Sequence, residues 1–147
     1  MAREFDSEIE IAAPPARVWQ VLTDFASFPE WNPFVVKASG IPKEGEPIAV
    51  SIKPAGRPAM SFRPTVLKAE PERELRWRGV MGTAALVAGE HFFRIEPSGD
   101  GASRFIHGES FSGALAPLVM AFLGNGFDRS FDAMNQALKE RAEAPTS

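Results

Sequence analysis

Cysteine is absent from this 147-residue chain, tyrosine is absent as well, and only two histidines are present. Without thiols there is no disulfide framework, no thiolate zinc site and no cysteine nucleophile. Without a phenol, no tyrosine serves as a proton donor. Long hydrophobic runs are also missing. The longest, Leu115 to Leu123, is interrupted by Pro117 and is about half of the ~20 residues that a membrane helix needs, so no stable membrane insertion is expected. Basic clusters are missing too. The 16 Lys and Arg residues are scattered singly among 19 Asp and Glu for a net charge of −3, which argues against a nucleic-acid partner. Met1 to Ile11 carries Glu4, Asp6, Glu8 and Glu10 in place of the basic start and apolar core of an export signal, and a cytoplasmic location is expected.

What is present is apolar bulk: 44% hydrophobic residues, including 12 Phe and 3 Trp. A chain of this length removes roughly 70% of its unfolded surface from water on folding, enough for a core without staples. No internal repeat, linker or composition shift divides it. We expect a single domain over residues 1–147 with an ordered core of about 5–142 and a frayed tail beyond Glu143.

Phe5, Ser7, Ile9 and Ile11 alternate with Asp6, Glu8 and Glu10, the period-2 mark of a half-buried strand. Pro14 and Pro15 stop it, and Pro15 suits the first position of a helix. Val18, Leu22 and Phe25, with Trp19 beside them, predict about three helical turns up to Asp24. The segment Phe25 to Phe34 is too rich in Pro and aromatics for a long helix and reads as one short helical turn and a loop. Six strand-like runs follow, near residues 34–39, 47–53, 59–69, 72–78, 86–96 and 103–112, separated by Gly and Pro turn signals. Connections this short pair successive strands antiparallel. Pro64 falls inside one run and should mark a bulge or an unpaired edge position.

The last third changes period. Leu115, Leu118, Val119, Phe122, Leu123, Phe127, Phe131, Met134 and Leu138 recur at steps of three and four, predicting one amphipathic helix over about 115–142. Gly124 and Gly126 in its middle make either a packing notch or bend, or a hinge over a pocket mouth. The fold class is therefore α+β: a seven-stranded antiparallel curved sheet wrapped around a long C-terminal helix, with two short helices between strands 1 and 2. A sheet bowed around a single helix leaves room for a cavity on the scale of ligand pockets, ~300–1,000 Å³.

The order of elements, with PPARVWQVLTDFASFPEWNPF (14–34), MSFRPTVLKAEPERELRWRG (60–79), GEHFFRIEP (89–97) and RFIHGESFSG (104–113), resembles the START-like (START/Bet v 1-like) superfamily of helix-grip domains. Its closest branch is the bacterial polyketide cyclase/dehydrase-like, or SRPBCC, proteins. The resemblance spans about residues 5–142 and implies a hydrophobic ligand tunnel between sheet and helix. It does not imply one activity, because related domains carry lipids and polyketides, catalyse cyclisation or dehydration, or act as co-chaperone modules.

Strand parity brings together one polar group. On strand 86–96, His91, Phe93 and Ile95 share the more apolar face, and on strand 103–112, Phe105, His107, Glu109 and Phe111 do. Setting Glu96 against Arg104, an opposite-charge pair, fixes a register in which His91 faces Glu109, Phe93 faces His107 and Ile95 faces Phe105. His91, Glu109 and His107 are thus the candidate catalytic residues, as an acid–base couple in an aromatic wall. The competing reading is a buried hydrogen bond that orients a bound carbonyl or hydroxyl. Two histidines and a carboxylate also suit iron or zinc, but no further polar ligand accompanies them, and no metal and no cofactor is assigned.

Trp31, Met60, Phe62, Trp77, Met81, Phe93, Phe105, Phe111, Met120 and Phe127 are the candidate ligand-contacting residues, with ordinary packing as the alternative for each. Met81 and Met120 suit an adaptable entrance because thioethers fit irregular shapes. Arg76 and Arg78 alternate with Leu75 and Trp77 and should face solvent. Carriage of a small hydrophobic or amphipathic ligand, such as a lipid, polyketide or aromatic metabolite, is the first expectation. A cofactor-free cyclase or dehydratase using His91 and Glu109 is the second, and an interaction module with a filled pocket the third. The chain is expected to be a monomer or a homodimer.

Overall fold

The computed structural model describes residues 3–81, 83 and 85–145, apart from the side chains at 3, 81 and 123–125. Strand β1 (Arg3–Ile11) is followed by α1 (Pro15–Thr23), a 3-10 turn (Phe25–Ser27) and α2 (Phe28–Trp31). Pro15 occupies the first turn of α1, and the helix buries Val18, Val21 and Leu22. Then come β2 (Val35–Gly40), β3 (Ile48–Ile52), β4 (Met60–Phe62), β5 (Thr65–Glu70), β6 (Glu74–Met81), β7 (Val87–Pro97), β8 (Ser103–Ser112) and α3 (Ala116–Glu143).

All strand pairs are antiparallel, as short connections require, but the strand count differs from the sequence expectation. Among the described residues eight strands form, in a five-stranded sheet ordered β1-β8-β7-β6-β5 and a three-stranded sheet ordered β2-β3-β4. The run expected over 59–69 breaks at Pro64, which has no N–H to donate to a ladder. Its first part, β4, pairs with β3, and its second, β5, pairs with β6. The two sheets stay in touch there: Ile48 N donates to Pro64 O at 2.9 Å, and Thr65 bridges Pro47.

The β7–β8 register is the one that charge pairing selects. Glu96 opposes Arg104, His91 opposes Glu109, Phe93 opposes His107 and Ile95 opposes Phe105. Arg76 faces outward, bonding Glu74 at 2.9 Å and Glu90 at 3.1 Å, and its guanidinium lies over Phe92.

Helix α3 is continuous and unequally buried. Its C-terminal half carries Phe131, Met134, Leu138 and Ala142 into the core. Arg17 of α1 donates to the carbonyls of Arg141 and Ala142, partnering acceptors that a helix end leaves open. The N-terminal half instead leaves Leu118 67% and Phe122 57% exposed. Of the expected notch or hinge, Gly124 lies outside the described side chains, while Gly126 marks a close approach. A Cβ there would stand 3.3 Å from the carbonyl of Ala55, whose N–H bonds Ser130 Oγ at 2.8 Å.

Candidate functional site

Between β2–β4, β6–β8 and the N-terminal half of α3 lies a cavity of about 770 Å³, not filled by side chains. Its wall is aliphatic and aromatic, with Val35, Val50, Ile52, Trp77, Phe111 and Phe127 among the lining residues. Among the described lining residues only His91 and Glu109 titrate, and none is a lysine or arginine. At the mouth, Val80, Leu118 and Phe122 are at once lining and largely exposed.

The polar group at the inner end is a chain of five side chains from four elements. Period-2 alternation on β7 and β8 points His91, His107 and Glu109 inward, at 3%, 0% and 8% exposure. Glu109 Oε2 lies 2.9 Å from His91 Nδ1, and His91 Nε2 lies 2.7 Å from His107 Nε2. His107 Nδ1 lies 2.9 Å from Asn135 Oδ1 of α3, and Asn135 Nδ2 donates to Ser7 Oγ of β1 at 2.8 Å. Ser7 Oγ donates its one proton to the His107 carbonyl at 3.2 Å, so it can only accept from Asn135. That choice sets the amide, and the rest follows in order. His107 Nδ1 carries a proton for Asn135 Oδ1, leaving His107 Nε2 an acceptor, so His91 Nε2 donates to it. His91 Nδ1 is then a bare lone pair facing Glu109 Oε2.

Aromatic rings cover most of this chain. Trp77 stacks on His91 at 5.4 Å and 17°, Phe34 lies over it at 5.8 Å, and Phe131 stacks on His107 at 4.1 Å and 16°. Burial therefore disfavours every charged form. It lowers the His91 imidazole to about 3 and holds His107 well below the ordinary histidine range, the neighbouring His91 acting in the same direction. Burial, with Glu90 nearby, pushes the Glu109 carboxyl well above the ordinary carboxylate range. Burial thus favours the neutral acid at Glu109, and a proton on Oε2 is what an oxygen placed against the Nδ1 lone pair requires. Oε2 is sealed from solvent and has no hydrogen-bond partner in good alignment among the described residues, His91 Nδ1 at 2.9 Å included. Oε1 hangs over Gly89, where a Cβ would come within 2.9 Å of it.

Of the residues expected to contact a ligand, Met60, Phe62, Trp77, Phe111 and Phe127 border the cavity together with His91 and Glu109. Trp31, Phe93, Phe105, Met120 and His107 are not on its wall. Phe93 and Phe105 stack on each other at 6.0 Å beneath the histidines, fully buried, because the β7–β8 hairpin runs past the cavity floor into the solid core. Trp31 packs on Phe28 at 5.3 Å, and Met120 lies against the core. The Met81 side chain lies outside the described residues. His107 joins the site through His91 alone.

Ser7 and Asn135 were missed from sequence. Both carry a readable signal: Ser7 shares the inward face of β1, and Asn135 sits four residues after Phe131 on the apolar stripe of α3. Among the described residues no group of three or more His, Cys, Asp or Glu is arranged to hold a metal ion. Nor is any described helix long and apolar enough to cross a membrane.

A family model described as polyketide cyclase/dehydrase and lipid transport matches residues 2–143. Similar solved structures include a Streptomyces aromatase/cyclase (Zhui), 18% identical over 97% of this chain and 94% of that one, TM-score 0.71. A START superfamily protein from Mycobacterium smegmatis is 16% identical over 95% and 97% of the two chains, TM-score 0.72. Truncated norcoclaurine synthase from Thalictrum flavum is 14% identical over 99% and 96%, TM-score 0.72. At these identities the likeness is one of fold. No curated protein matches the sequence.

Proposed function

The chain belongs to the polyketide cyclase/dehydrase and lipid transport family, and from that premise we propose that it binds one small apolar or amphipathic molecule in the cavity. The Glu109–His91 pair orients the ligand's polar group. The observation that carries this reading is a hollow of about 770 Å³ whose lining is apolar except at one edge, where a buried carboxyl stands. That is the form of a ligand site: mostly hydrophobic, with few fixed polar groups. An acid–base mechanism fits less well. A general base serves best when its pKa is near the working pH, whereas burial holds His91 at about 3. A proton passed along the chain would stop at the Asn135 amide and leave a charged imidazole in the aromatic core.

A neutral fluorophore that brightens in apolar surroundings, N-phenyl-1-naphthylamine, tests the reading. The protein is expected to bind it stoichiometrically. Gly79→Phe, which adds a ring to the lining, should abolish the signal while leaving the circular dichroism spectrum unchanged. Absence of binding, or equal binding by the filled variant, overturns the reading.

A further inference from the structure

Resting on the cavity reading, we propose that the ligand's polar group is a hydrogen-bond donor, a hydroxyl, and that its acceptor is Oε1 of Glu109. The directions of the hydrogen bonds decide this. From Ser7 through Asn135 and His107 to His91, each group's donor and acceptor is settled by its neighbour, and the run ends on the unprotonated Nδ1 of His91. Facing it at 2.9 Å, Glu109 Oε2 is sealed from solvent and has no partner at hydrogen-bond alignment among the described residues, so Nδ1 is its nearest polar neighbour by distance alone. Two lone pairs at that distance repel, and a proton on Oε2 relieves the repulsion, so the acid proton is assigned to Oε2. The second oxygen, Oε1, is then a carbonyl with acceptor capacity only. It lies over Gly89, and both residues line the cavity.

A ligand that can only accept gains nothing there and buries its own polar atom unpaired. A carboxylate brings a charge into a wall whose described residues include no lysine or arginine. A hydroxyl both donates to Oε1 and is itself desolvated with a partner. The class of ligand is therefore an alcohol or phenol on an apolar body.

The test displaces N-phenyl-1-naphthylamine with three compounds of similar size: 1-decanol, nonyl methyl ether, which only accepts, and decanoate. Decanol should bind about three- to tenfold tighter than the ether, the worth of one neutral hydrogen bond. Decanoate should bind weakest at pH 7. Glu109→Leu should bind decanol and the ether equally, with each displacement constant corrected for that variant's own fluorophore affinity. Glu109→Gln should keep the preference for decanol, because its amide N–H replaces the acid proton toward Nδ1 and its carbonyl replaces Oε1. Ether and alcohol binding equally to the wild type, decanoate binding best, or a lost preference in Glu109→Gln would each overturn the inference while the cavity reading stands. If the fluorophore itself fails to bind, the cavity reading falls and the inference with it.

Discussion

Glu109→Gln also tests the protonation state of the site without any ligand. In the unfolded chain Glu109 ionises near its ordinary value of 4.5, whereas in the fold burial and the nearby Glu90 keep it protonated to higher pH. Above pH 4.5 unfolding therefore releases a proton, and rising pH favours the unfolded state by up to ~1.4 kcal/mol per pH unit. Glutamine has no proton to release. Between pH 5.5 and 7.5 the variant should gain on the wild type by up to about 2.7 kcal/mol, until folded Glu109 itself ionises. The histidines have the opposite sign. Unfolding takes up their protons below 6.5, because burial holds folded His91 at about 3. Both proteins share that contribution, so it cancels in the difference. Urea unfolding followed by tryptophan fluorescence is a suitable assay, since Trp77 stacks on His91 at 5.4 Å. Parallel stability curves would refute the reasoning. So would a variant less stable by ~3–5 kcal/mol at pH 7.5, the loss expected if Gln had replaced a carboxylate paired with an imidazolium.

In the Glu109→Gln background, lowering the pH from 6 to 5 should reduce stability by up to about 2.7 kcal/mol, because two buried neutral histidines then resist protons that the unfolded chain accepts. The same urea titrations measure it. Asn135→Leu leaves His107 Nδ1–H without its acceptor and should cost ~1–3 kcal/mol. Nitrogen-15 shifts of the imidazoles should show His107 changing tautomer. Gly89→Ala puts a Cβ 2.9 Å from Glu109 Oε1 and 3.4 Å from Phe111 Cε1. The carboxyl must turn away, and the preference for decanol over the ether should drop. Phe127→Ala removes a ring that lies against Phe5, Phe34, Phe111 and Phe131. It should destabilise by ~3–5 kcal/mol in denaturant titration and admit longer alcohols.

Much of this molecule is local in origin and so was readable along the chain. Alternation over Phe5–Ile11 sets the inward face of β1. The three- and four-residue steps from Phe127 to Leu138 make the buried face of α3, and the Glu96–Arg104 pair sets the hairpin register that brings His91 against Glu109. Each follows from geometry repeated every two or 3.6 residues, which a side-chain pattern reports directly. The split at Pro64 was legible only as a disturbance. Whether a strand bulges or divides depends on which neighbours its two halves find, here β3 and β6.

The tertiary structure decided what no period contains. The partners that orient the histidines come from far away in sequence: Asn135 is 28 residues from His107, and Ser7 is 128 from Asn135. Phe93 and Phe105 share strand parity with His91 and Glu109, yet they fall in solid core while the other two reach the hollow. Parity chooses a face of the sheet, but the distance between that face and the helix is set by the whole set of packed side chains, and it widens toward the loosely covered start of α3. The chain's pattern thus determined which way the polar residues point. Only the packed molecule decided that a space lies in front of them and that burial favours the neutral form of the carboxyl facing it.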